Sequence, residues 1–176
     1  MLNHQVWRIV FLHGIILTGN QPFTISKCIS RLNAEFAIKD LGKLSYFLGL
    51  EVTYTQSSLF LSQIKYAHDI LTRAKLLDVN PMPTPLATAD VITSQGTPFS
   101  DQTLYRSLVG ALQYLTITRP DISYAVNQVS QFLHAPTTTH FQAIKHILRY
   151  VKGTLAYGLT FHHSPAPSIL GYSDAD

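Results

Sequence analysis

Two apolar runs open the chain. Residues 9–20 read IVFLHGIILTGN, and the break at His13-Gly14 between stretches rich in Ile, Val and Leu predicts a β-hairpin, because glycine adopts positive φ without strain. Residues 22–35 then place Phe23, Ile25, Cys28, Ile29 and Leu32 at helical spacing behind Pro22, a residue suited to a first helical turn. Between 36 and 63 the pattern changes again. Tyr46 to Tyr54 is aromatic and β-branched, Gln56-Ser57-Ser58 interrupts it, and a second short apolar run follows, which predicts another strand pair. Ser62 is the expected N-cap of a helix whose stripe is Ile64, Ala67, Leu71, Ala74 and Leu77.

Periodicity then lapses. Residues 78–102 carry Pro81, Pro83, Pro85 and Pro98 and read as a strap or linker on the surface. Three helices are predicted beyond it. Leu104, Leu108, Leu112 and Leu115 mark the first; Ile122, Ala125, Val126, Val129 and Leu133, opened by Pro120, mark the second; Phe141, Ile144, Ile147, Leu148 and Val151 mark the third, with Gly153 as its left-handed C-cap. The tail, GLTFHHSPAPSILGYSDAD, reads as two strands with a Pro-containing connection. The order gives an α+β chain with a helical middle, in which Leu108, Leu112, Val126, Val129, Ile144 and Leu148 are expected to be buried.

Composition sharpens this picture at a few points. Hydrophobic residues make up 46% of the 176, ample for a core, whereas charged residues are 13%, about half the usual share of roughly 25%. A surface so poor in charge points to contact with something other than water. The net charge of +3 is a mild bias toward polyanions. One cysteine, Cys28, excludes an internal disulfide and a cysteine-based zinc site, and a reducing, intracellular setting is the expectation. His13 interrupts the early apolar run and no small-residue cleavage site follows Leu17, so a strand pair is read there and not a signal peptide. No apolar run is long enough to span a membrane, and no membrane partner is expected.

The chemistry-bearing residues are scattered. None of the eight histidines forms an H-E-x-x-H arrangement, and His140 and His146 fall on nearly opposite sides of one predicted helix, so no metal site is expected. No nucleophile elbow or P-loop occurs. Asp174 and Asp176 are the only acidic residues two apart. Lys145, Arg149 and Lys152 recur at i, i+4 and i+7, so they share a helical face able to track phosphates, with Tyr150 beside them.

Several blocks carry a resemblance. LNAEFAIKDLGKLSYFLGLEV, LFLSQIKYAHDIL, TPLA, YRSLVGALQYLTITRPDISYAVNQVSQFLHAPT, AIKHILRYVKGT and GYSDAD, in this order, resemble the reverse transcriptase region of the Ty1/copia-type retrotransposon polyprotein. They are also similar to open reading frames of plant genomes that descend from such elements. The resemblance implies a partial polymerase palm with β-hairpins over 1–61, a helical thumb and connection over 62–156 that includes the strap, and an incomplete RNase H-like strand over 157–176. It aligns Phe11-Leu12-His13-Gly14 with the family's Tyr-x-Asp-Asp turn, whose aspartates help hold catalytic magnesium. Here both carboxylates are replaced, each by a change reachable through one base. The family's other palm aspartate and its fingers are expected to lie upstream of the matched segment. Asp174 matches a single RNase H carboxylate, and the rest are expected beyond it. Phe47-Leu48-Gly49 matches the primer-grip hairpin and, with Lys145, Arg149 and Lys152, forms the expected nucleic-acid-binding set. The resulting expectation is a catalytically inactive fragment with no cofactor of its own. The alternative is a domesticated nucleic-acid-binding module with an RNA or DNA duplex as partner. Self-association through the uncovered amino-terminal hairpin, residues 6–18, is expected in either case, and Leu12→Lys should relieve it.

Overall fold

The first apolar pair folds as a hairpin, with β1 (Val6–Phe11) and β2 (Ile15–Gly19) antiparallel and Val10 opposite Ile15. This computed structural model describes residues 6–11, 15–19, 21–36, 38–86 and 95–162. Helix α1 (Pro22–Glu35) follows as the spacing predicts and buries Ile25. The next element was not legible as a strand. β3 (Lys39–Lys43) pairs with the outer side of β1, so β1 becomes the central strand of a sheet ordered β2-β1-β3. KDLGK is charged and contains glycine, and both features suit an edge strand with a bulge. The register slips between Ile9 and Val10, Gly42 sits at φ +79°, and the Gly42 N–H donates to Asp40 Oδ1 at 2.8 Å.

The single strand expected from Tyr46 to Tyr54 is two strands. β4 (Tyr46–Phe47) and β5 (Leu50–Tyr54) are joined by Leu48-Gly49, both at positive φ (47° and 82°), the signature of a two-residue hairpin turn matched to strand twist. β6 (Ser58–Ser62) extends the sheet, and β7 (Leu159–His162) closes it in the order β4-β5-β6-β7. The first of the two tail strands is therefore the fourth strand of this sheet, with Leu159 opposite Leu61. The second lies outside the described residues.

Ser62 does not cap α2 (Ile64–Arg73). It is the buried last residue of β6, and Gln63 takes the N-cap position without a side-chain bond. The carboxylate of Glu51, reaching across from β5, accepts the Lys65 N–H at 2.8 Å instead and faces the positive end of the helix. α3 (Gln102–Leu115) is capped by Asp101, whose Oδ1 accepts the Leu104 N–H at 2.8 Å. Pro120 opens a 3₁₀ turn (Pro120–Ile122) that leads into α4 (Ser123–Ser130), which stops short of Leu133. α5 (Thr138–Gly153) starts with a reciprocal cap: Thr137 Oγ1 accepts the His140 N–H, and His140 Nδ1 accepts the Thr137 N–H at 3.0 Å. His140 is thus a buried cap, stacked on Phe132.

Gly153 is the last residue of α5 and is not left-handed, contrary to the sequence expectation. Its smallness serves an approach instead: an added Cβ would come within 3.0 Å of Pro81 Cβ. The main core lies among α2 to α5. Nineteen residues form it, including the six expected ones, and Tyr105 within it donates to the Val129 carbonyl at 2.7 Å. A much smaller cluster, centred on Leu44 and Val52, joins the two sheets. The described parts of the strap, 78–86 and 95–102, run over the surface as predicted. Near its far end the strap is stapled to the start of α5 by Thr138 N–H to Thr97 O and Phe99 N–H to Pro136 O.

Candidate functional site

The strands on either side of His13-Gly14 are β1 and β2, and Phe11 ends β1. Leu12, His13, Gly14 and Asp174 lie outside the described residues.

The β4–β5 turn is held from behind. Leu48 projects at the tip with 70% of its surface exposed, in a backbone conformation that a leucine adopts only under strain. Its carbonyl accepts a hydrogen bond from the Tyr114 hydroxyl on α3, and a Cβ on Gly49 would touch the Tyr114 ring at 3.5 Å. Tyr114 in turn packs edge-on against Tyr66 of α2, ring centres 5.2 Å apart. Burial raises the Tyr66 phenol above its ordinary pKa, with the nearby Arg73 opposing the shift. Phe47 is half-buried against Leu44 and Val52. Beside the turn is a shallow groove of about 530 Å³ lined by Tyr46, Glu51, Ile64, Lys65 and His68.

Lys145, Arg149 and Lys152 do share one face of α5, but not as an open phosphate track. The strap lies across it. Lys152 Nζ donates to the Val79 carbonyl at 2.6 Å, Arg149 Nε to the Asn80 carbonyl at 2.7 Å, and the Met82 N–H returns a bond to the Arg149 carbonyl at 3.3 Å. His146 Nε2 is 3.0 Å from the Thr84 carbonyl. Lys145 alone of the three cations makes no hydrogen bond to a carbonyl of the described strap residues; its ammonium lies 5.0 Å from the centre of the Phe141 ring. Tyr150 turns away and donates to Asp121 Oδ2 at 3.0 Å.

Three residues that position these parts were not singled out from the sequence: Tyr114, Glu51 and Arg119. Arg119 is buried at 2% exposure, grips both oxygens of Asp121 at 2.9 and 2.7 Å, and donates to the Thr154 carbonyl and hydroxyl at 2.9 and 2.6 Å. The Arg-Pro-Asp spacing was its available signal, since proline fixes the turn that lets the carboxylate fold back onto the guanidinium. Among the described residues no group of three His, Cys, Asp or Glu side chains could hold a metal, and no helix is long and apolar enough to cross a membrane.

A mixed helix-and-sheet chain with an exposed hairpin tip pinned to a helical body is compatible with a polymerase class, and comparison supplies the class. Residues 4–88 match the family described as reverse transcriptase (RNA-dependent DNA polymerase). The chain is 43% identical over 172 residues to the retrovirus-related Pol polyprotein from transposon RE1 of Arabidopsis thaliana, covering 97% of this chain and 12% of that protein. It is 43% identical over 171 residues to an uncharacterized mitochondrial protein of the same plant, covering 97% of this chain and 71% of the relative. A tobacco relative, the Pol polyprotein from transposon TNT 1-94 of Nicotiana tabacum, is 34% identical, with 99% of this chain and 14% of its own length covered. The chain belongs to the copia-type reverse transcriptase family. It spans about an eighth of the length of the Pol polyproteins it matches. No solved structure matches it.

Proposed function

We propose that this chain is a copia-type reverse transcriptase segment that has lost polymerisation. One observation carries the reading: His13 and Gly14 stand where the family resemblance has the aspartate pair. Two-metal phosphoryl transfer requires hard oxygen ligands on magnesium, and neither an imidazole nor a hydrogen atom provides them. In this reading residues 1–61 derive from the palm, 62–156 from the thumb and connection, and 157–176 from the threshold of the RNase H domain, where Asp174 is the matching carboxylate. The pairing of β7 with β6 joins the last of these units to the first in one sheet. The folded, purified chain should incorporate no nucleotide on a primed RNA template with magnesium or manganese, alongside an active enzyme as control. Template-dependent extension would overturn the proposal.

A second reading, retained duplex binding, is favoured by Leu48, a strained and exposed leucine at the hairpin tip, since strain of this kind persists where the surroundings impose it and clusters at contact sites. Phe47, Leu48 and Gly49 would then meet the nucleic acid. With Lys152 committed to the strap and Arg149 held there through Nε only, α5 offers Lys145 and the terminal nitrogens of Arg149. The log-log salt slope should therefore be about −2, the shallow end of the −2 to −3 expected from three phosphate contacts.

A further inference from the structure

Between the start of the strap and α5 lies a half-open hollow of about 340 Å³, lined by Leu76, Val79, Gln142, Lys145, His146 and Arg149. The volume falls at the small end of ligand-binding pockets, roughly 300–1,000 Å³. Its lining is chemically one-sided. Lys145 and Arg149 bring ammonium and guanidinium groups, Gln142 an amide and His146 an imidazole, and among the described residues no carboxylate lines it. Neither cation has an ion-pair partner among the described residues. Arg149 engages the strap through Nε only, so its two terminal nitrogens, which form the edge that suits a planar or tetrahedral oxyanion, are not occupied by that bond.

The pocket is also held in shape before any ligand arrives. The bonds from Lys152, Arg149 and His146 to the carbonyls of Val79, Asn80 and Thr84 fix the wall, and fixing the Arg149 side chain lowers the entropy lost on binding. Leu76 and Val79 add an apolar surface next to the donors. An anion alone would leave that surface unused, and an apolar molecule would leave two cations unmatched.

We propose that this hollow binds a phosphate monoester carried on a nucleoside, with the phosphate between Lys145 and the terminal nitrogens of Arg149 and the nucleoside against Leu76 and Val79. The same chemistry is presented by a free mononucleotide and by the 5′-phosphorylated end of a strand. The proposal does not depend on the polymerase assay, which probes a different part of the chain.

The test is an NMR titration of the full-length, isotope-labelled chain with AMP, adenosine, inorganic phosphate, and a short oligonucleotide with and without a 5′-phosphate. AMP should move the amide resonances of residues 142–149 and 79–84, while adenosine should not. Lys145→Glu, which leaves the strap's carbonyl bonds intact, should weaken AMP by roughly tenfold or more, the loss expected for a charge-assisted contact turned repulsive. Lys27→Glu on α1 serves as the charge control and should change nothing. Slow exchange of the Met82 amide in each variant reports that the strap is still docked. Response to AMP identifies a free nucleotide as a source, and response only to the phosphorylated oligonucleotide identifies a strand end; both support the site. Equal response to adenosine and AMP, shifts confined to other surfaces, or insensitivity to Lys145→Glu would overturn it.

Discussion

Arg119 combines near-complete burial with four hydrogen bonds from its guanidinium, and that combination sets its energetic weight. Breaking a buried, hydrogen-bonded ion pair typically costs about 3–5 kcal/mol, and the partly exposed Asp121 carboxylate can rehydrate, so Arg119→Met is expected near 3 kcal/mol by urea unfolding. Burial pushes the Asp121 carboxyl up, but the hydrogen bonds and charge of Arg119, with the Tyr150 hydroxyl, outweigh it and hold the group below its ordinary value. The unfolded chain therefore takes up this proton at higher pH than the folded one. The contribution is complete above about pH 4 and disappears as the pH falls through the folded-state value; Asp121→Asn should remove that acid limb from the stability profile. At this scale the sequence was informative about residue type and spacing. Lys145, Arg149 and Lys152 do fall on one helical face. That Arg149 and Lys152 would be claimed by the strap was not legible, because their acceptors are backbone carbonyls, which every residue possesses.

The β4–β5 hairpin shows how an element can be recognised in kind and mistaken in form. Its aromatic and β-branched residues announce a strand, and because leucine is an unusual occupant of the first left-handed position of a tight turn, the residue pattern alone runs through Leu48-Gly49, where the family resemblance implies a hairpin. β3 was missed for the converse reason: its charges and glycine, which protect an edge, also resemble loop. Helices α1, α3 and α5 were legible because fourteen to sixteen residues sustain a period; burial follows the stripe in α3 and α5, whereas in α1 only Ile25 is buried and Phe23 and Cys28 are exposed. The turn offers an experiment with two opposite signs. Gly49→Ala should destabilise by about 1–2 kcal/mol, since φ of +82° penalises a Cβ. Leu48→Asn should stabilise by about 0.5–1 kcal/mol, because asparagine suits the turn and little burial is lost. Should Leu48 be a nucleic-acid contact, the same change would weaken duplex binding while raising the unfolding midpoint, and a parallel change in both would count against a contact role.

Among the residues whose burial is described, the apolar core is concentrated in the helices, and Ile16 of β2 packs against the smaller cluster. β3 covers one flank of the hairpin, so the expectation that residues 6–18 are uncovered needs narrowing. β1 is paired on both sides, and the outer side of β2 is the uncharged edge, in contrast to β3 with Lys39, Asp40 and Lys43. Leu12 lies outside the described residues, and Leu17 is the better probe. Self-association is expected to run through β2, and Leu17→Lys should shift sedimentation at micromolar concentration toward monomer; a monomer in both forms would contradict this. The strap carries a consequence of another kind. Its hydrogen bonds to α5 run through the carbonyl oxygens of Val79, Asn80 and Thr84 and the N–H of Met82, so the side chains of Asn80, Met82 and Thr84 can drift while those of α5 cannot, and of the strap's side chains Val79 and Leu86 also pack on the helical core. Alanine at residues 80 and 84 together should leave Met82 amide exchange slow, whereas Arg149→Ala with Lys152→Ala should release it. Descent with mutation would then record this contact on the helix alone, leaving a strap that diverges in sequence while keeping its path.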